Sequence, residues 1–148
     1  MHNNLWWPTV VVFTILGVGN LSAQDKPNFK GTWVSERQPQ TLTITQDALR
    51  LTQTGPEGTL TYQLDGSDSR NETKTVLGEK WIHISKIKWV GSALVITTTT
   101  TPQTGGSWDW MKIYTLSQTG TLKLTTVDGV LSDRLYMNVN TVTFTLQK

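Results

Sequence analysis

Two stretches concentrate the side chains that could do chemistry, "WIHISKIKW" (81–89) and "WDWMKIYTL" (108–116). In an extended strand successive side chains point to opposite faces. One face of the first stretch then carries Trp81, His83, Ser85, Ile87 and Trp89, and the other Ile82, Ile84, Lys86 and Lys88. The second splits into Trp108, Trp110, Lys112, Tyr114 and Leu116 against Asp109, Met111, Ile113 and Thr115. The aromatic faces bury the most area and are assigned inward. His83, Ser85 and Lys112 go inside with them. A filled core does not select a lysine, because an unpaired buried charge is costly. A wet pocket lined by aromatics with a few polar groups does. The plainer alternative is a Lys112 at the rim of the fold, snorkelling its ammonium into water. A third stretch, "SDRLYMN" (132–138), sets Arg134 and Tyr136 on one face, where a guanidinium fork and a phenol suit a carboxylate. The candidate ligand-binding residues are therefore Trp81, His83, Trp89, Trp108, Trp110, Lys112, Tyr114, Arg134 and Tyr136.

The same inventory argues against catalysis. His83 is the one histidine after the N-terminal segment, and no Asp or Glu stands at a spacing that would orient it. A hydrogen-bonded structural role is the simpler reading for a lone histidine of this kind. One histidine and no cysteine leave no two-histidine or thiolate metal site. No serine sits in Gly-x-Ser-x-Gly. The acids Asp65 and Asp68 fall in "DGSDSRN", where turn formation is their ordinary job. No catalytic residue, metal or cofactor is expected, and the chain is read as a non-enzyme. "NET" at Asn71 fits the glycosylation pattern, which has meaning only in a eukaryotic source.

The elements that must hold these residues are strands. Thr, Val, Ile, Leu and aromatics dominate, and no segment follows a helical period. Short alternating runs are separated by turn residues: "GTW", "TLTIT", "LRLTQT", "GTLTYQL", a polar run over 72–77, "KWIHISKIKW", "SALVITTTT", "WDWMKIYTL", "TLKLTTV" and "NTVTFTLQK". The five threonines 97–101 are good strand formers rather than low complexity. Connections are short enough for consecutive hairpins, which favours an antiparallel up-and-down meander. The fold class expected is all-β, with about eight to ten strands closed into a barrel that removes exposed edges. A β-sandwich is the alternative.

Residues 1–23 read as a targeting peptide. An apolar run from Leu5 to Val18 ends in the small-residue site Leu21-Ser22-Ala23, after which cleavage fits. No Lys or Arg precedes the run, and an uncleaved anchor is the rival reading. The run is short for a span, contains Pro8 and stops at Asn20. Residues 24–148 then form one domain, secreted or periplasmic, with no stable membrane span after cleavage. The absence of cysteine excludes a disulfide scaffold, so packing and backbone pairing must hold the domain. The net charge of +2 and the lack of any basic cluster beyond "KIK" give no footprint for nucleic acid.

"NFKGTW" (28–33) resembles the opening of the calycin superfamily, in which a Gly-x-Trp begins the first barrel strand. The superfamily includes the lipocalins, fatty-acid-binding proteins and avidins. The resemblance implies a barrel floored by the Trp33 indole, with Arg134 as the late-strand arginine that covers it. Alternatively, Arg134 and Tyr136 match the Arg-x-Tyr with which fatty-acid-binding proteins hold a ligand carboxylate. "RQPQ" leads straight into a strand, so the lid helices of that family have no counterpart. The hairpins "KWVGSALVIT" and "YTLSQTGTLKL" are similar to those of small exported bacterial lipocalin-like proteins. The function expected is binding of a small apolar or aromatic ligand inside the barrel. The rival is a solidly packed structural or protein-interaction module of the cell envelope, without a ligand. The direction of Lys112 separates the two.

Overall fold

A computed structural model describes residues 26–129 and 138–148. The apolar N-terminal run, its expected cleavage site and the pair Arg134 and Tyr136 lie outside the described residues. Ten strands are present: β1 (Gly31–Ser35), β2 (Thr41–Gln46), β3 (Arg50–Gly55), β4 (Gly58–Gln63), β5 (Ser69–Lys74), β6 (Lys80–Val90), β7 (Ala93–Pro102), β8 (Trp108–Leu116), β9 (Leu122–Asp128) and β10 (Asn138–Leu146). They form one antiparallel sheet in the order β4-β3-β2-β1-β10-β9-β8-β7-β6-β5. Every neighbour but the β1–β10 pair is adjacent in sequence, so the chain is an up-and-down meander that curls into a nearly closed barrel. Among the described residues no helix is long and apolar enough to cross a membrane.

The two edges of the sheet, β4 and β5, meet without a backbone ladder. Side chains of β5 take its place. The Asn71 amide accepts from the Thr61 N–H (2.7 Å) and donates to the Thr61 carbonyl (2.9 Å), as a strand residue's own peptide would. Ser69 Oγ accepts from the Gln63 N–H at 2.7 Å. Asn71 is thereby committed to the seam, and a glycan on its amide nitrogen would break the bond to Thr61. The strand expected over 72–77 is displaced to Ser69–Lys74. Val76 and Leu77 fall instead in a turn closed by the Gly78 N–H to the Thr75 carbonyl, and both are fully exposed. Seam formation by Ser69 and Asn71 sets this register; strand propensity at Val76 does not.

One end of the barrel is solid. Phe29, just before β1, is fully buried and stacks on Trp89 (6.1 Å between ring centroids) with Tyr114 tilted against it. Full burial of such a side chain is worth about 1.5–3 kcal/mol. The Trp33 indole N–H donates to the Phe29 carbonyl at 2.8 Å, so the indole holds the chain across the floor. Gln46 completes the tie, accepting from the Phe29 N–H and donating to the Pro27 carbonyl. Gly31 has φ 154°, and a Cβ there would stand 2.4 Å from Leu146 Cδ1. The glycine of Gly-x-Trp is thus favoured by backbone shape, while the half-exposed Leu146 side chain would have to shift for a Cβ. Leu42, Ile44, Leu51, Tyr62, Leu94, Ile96, Leu122 and Phe144 fill the space above the floor.

Candidate ligand cavity

The inward face of β6 runs from apolar to polar toward the other end. Ile87 and Trp89 belong to the floor, while Ser85, His83 and Trp81 climb to the mouth. β7 mirrors this with Leu94 and Ile96 below and Thr98 and Thr100 above. The register pairs Ser85 with Thr98 and His83 with Thr100, so each buried polar side chain faces another. Ser85 Oγ and Thr98 Oγ1 are 2.8 Å apart. His83 Nδ1 lies 2.8 Å from Thr100 Oγ1, and its Nε2 lies 2.8 Å from Thr73 Oγ1 on β5. The Trp110 indole N–H donates to the same Thr100 hydroxyl at 2.7 Å. Both ring nitrogens of His83 are therefore satisfied by hydroxyls. Burial lowers its pKa below the ordinary 6.5; Glu57 opposes the shift and Lys112 adds to it.

Lys112 points inward and is completely buried. Among the described residues it is the one buried lysine or arginine. Its Nζ lies 4.9 Å from the centre of the Trp110 ring and 2.5 Å from Glu57 Oε2. Glu57 reaches it from the β3–β4 turn, Gly55-Pro56-Glu57-Gly58, 55 residues away in sequence. The carboxylate side chain is 56% exposed, whereas that of the lysine is 1% exposed. The ion pair is thus a buried cation capped by a solvated turn.

Two spaces flank this pair. A cavity of about 400 Å³ opens at the mouth, walled by Trp81, Trp108, Trp110, His83, Thr73, Thr100 and Leu60, with Glu57 and Asp128 on its margin. A smaller space of about 150 Å³ lies on the other side, against Lys112, Gln53, Leu124, Thr126 and Phe144. Glu57, Pro56 and Thr126 border both. Trp81 and Trp108 meet edge to face at 5.2 Å, forming one aromatic wall. Trp108 is the outermost of the three and is 40% exposed.

The structure therefore brings together Trp81, His83, Trp108, Trp110 and Lys112 at the open half of the barrel. It places Trp89 and Tyr114 elsewhere, packed on Phe29 at the floor. The Tyr114 hydroxyl donates to Gln53 Oε1, and burial raises its pKa well above the usual phenol range. Glu57, Thr73, Thr100, Thr126 and Asp128 line the site without having been singled out in the sequence. Alternation along 97–101 already puts Thr98 and Thr100 on one face, and pairing with His83 would have marked Thr100. Nothing local marks Glu57, whose role depends on which turn arches over Lys112. Asp65 accepts from the Ser67 N–H and hydroxyl, and those bonds lower its pKa, so it works as a turn former.

No protein-family model matches this chain, and no curated protein matches it. The up-and-down barrel is compatible with a lipocalin-like fold, and that architecture is as far as the likeness reaches.

Proposed function

We propose that the protein is an exported barrel that binds a small apolar or aromatic molecule non-covalently in the open half of its interior. One observation carries the reading: the barrel is packed solid at the floor yet leaves about 400 Å³ under three tryptophans at the mouth. A barrel needed only as a scaffold gains by filling that space, since apolar burial and dispersion both favour a filled interior. The cavity falls within the ordinary size range for small-molecule sites and has their composition, aromatic walls with a few placed polar groups. The inward Lys112 beside it also favours binding over a packed interaction module. Export is supported by the apolar run Leu5 to Val18 and its small-residue end.

Intrinsic tryptophan fluorescence tests this reading directly. Titration with a panel of fatty acids, tetrapyrroles and aromatic acids is expected to give saturable quenching by at least one class. The response is expected to disappear in Thr126→Trp, which fills the space beneath the mouth. Linear, non-saturating responses to every class would remove the reading.

A further inference from the structure

The polar groups inside the barrel are not equally available to a ligand. Ser85 is bonded to Thr98, and His83 to Thr73 and Thr100. Gln53 accepts from Tyr114, and Asn71 and Ser69 are spent on the seam. Each of these partners is itself fixed on a strand. Among the described residues the Tyr62 hydroxyl and the Trp81 indole N–H are buried without a partner. Lys112 is the buried charged group whose acceptor comes from the tip of a turn that is largely in water. A guest can replace that acceptor without disturbing the sheet.

Resting on the cavity reading above, we propose that the ligand is an aromatic or apolar anion whose acidic group displaces Glu57 and pairs with Lys112. The sign of the charge follows from what each exchange leaves behind. An anionic guest releases Glu57 into solvent, where a carboxylate is well hydrated, and keeps the buried ammonium paired. A cationic guest that took Glu57 would strand the Lys112 ammonium in the interior, the costly outcome for a buried pair. A neutral guest leaves the pair intact and gains nothing from it. Geometry agrees with the anion. Nζ stands over the Trp110 ring, and the Glu57 carboxylate that it binds borders the large cavity. A carboxylate or sulfonate taking the place of Glu57 can therefore lay its aromatic body against the wall of Trp81 and Trp108. No covalent step is involved; the exchange is of one ion pair for another.

Two fluorescent probes that differ only by an acidic group separate this inference from the reading on which it rests. Anilinonaphthalenesulfonate is anionic, and N-phenylnaphthylamine is the same aromatic body without the sulfonate. The sulfonate is expected to bind the purified protein about tenfold or more tightly than the neutral amine, as a charge-assisted pair in a secluded site allows. Lys112→Met is expected to erase that ratio, the sulfonate losing about tenfold or more relative to the amine. Glu57→Gln, which removes the competing anion, is expected to tighten the sulfonate several-fold and to enlarge the thermal stabilisation it gives. Equal affinities for the two probes, or a ratio that survives Lys112→Met, would overturn the anion and leave the cavity standing. If neither probe binds saturably, the cavity reading falls and the anion with it. Should Lys112→Met not fold, Glu57→Gln still decides, and an unchanged or weakened sulfonate affinity overturns the proposal.

Discussion

Glu57 holds more than half of its side chain in water while Lys112 holds almost none, so removing one or the other has unequal costs. Glu57→Ala leaves a buried ammonium without its carboxylate and is expected to cost about 1–3 kcal/mol. Lys112→Met leaves an exposed carboxylate to hydrate and is expected to cost less than about 1 kcal/mol. Urea unfolding of the two variants measures the asymmetry; equal losses would mean the pair is not a buried cation under a solvated cap. His83 makes a second expectation at this scale. Its folded pKa lies below the unfolded value near 6.5, so the unfolded chain takes up the proton first as pH falls. Its contribution is intact above about pH 6.5 and is lost on acidification toward the lower folded pKa. The nearby charges are Glu57, which favours the imidazolium, and Lys112, which disfavours it. Melting temperature is expected to drop across that window, and His83→Gln is expected to flatten the drop. A wild-type profile that is flat there would contradict the neutral, hydroxyl-bonded ring.

At the scale of the elements, closure depends on side chains where the sheet has no ladder. Asn71→Ala removes both partners of the Thr61 peptide and is expected to cost about 2 kcal/mol. The loss is expected to be local: amide exchange at Thr61 and Gln63 should quicken well beyond that of β7 and β8, the paired centre of the sheet. Uniform acceleration would mean that the seam is not a separate unit. Gly31→Ala tests the floor, since it combines an unfavourable φ with a contact at Leu146, and a loss of about 1–3 kcal/mol in thermal or urea unfolding is expected. These elements were unevenly legible in the sequence. Alternation gave the faces of β6 and β8, because two faces of unequal apolarity leave one register that buries the tryptophans. It misplaced β5, where Val76 and Leu77 suggest a strand while Ser69 and Asn71 make the actual edge. Side-chain closure of a seam has no periodic signature.

Among the described residues, packing grades from a sealed floor to an open mouth, and this gradient divides the aromatic residues into two groups. Trp33, Trp89 and Tyr114 hold Phe29 in place; Trp81, Trp108 and Trp110 surround empty space. Alternation shows Trp81, Trp89, Trp108, Trp110 and Tyr114 as inward aromatics, and the Gly-x-Trp resemblance alone points Trp33 to the floor. Which end the other five occupy has no local sign, because it depends on how far along the barrel the strands are staggered. The same limit hid Glu57, whose meeting with Lys112 is a property of the closed barrel and of no single strand. The division of the tryptophans is also what a ligand must respect. Titration of nitrogen-15-labelled protein with N-phenylnaphthylamine, followed through the indole N–H resonances, tests it most directly. Saturable shifts of Trp81, Trp108 and Trp110, with Trp33 and Trp89 unmoved, are expected of a guest in the open half. No saturable shift, or shifts confined to side chains on the outer face of the barrel, would contradict a binding cavity.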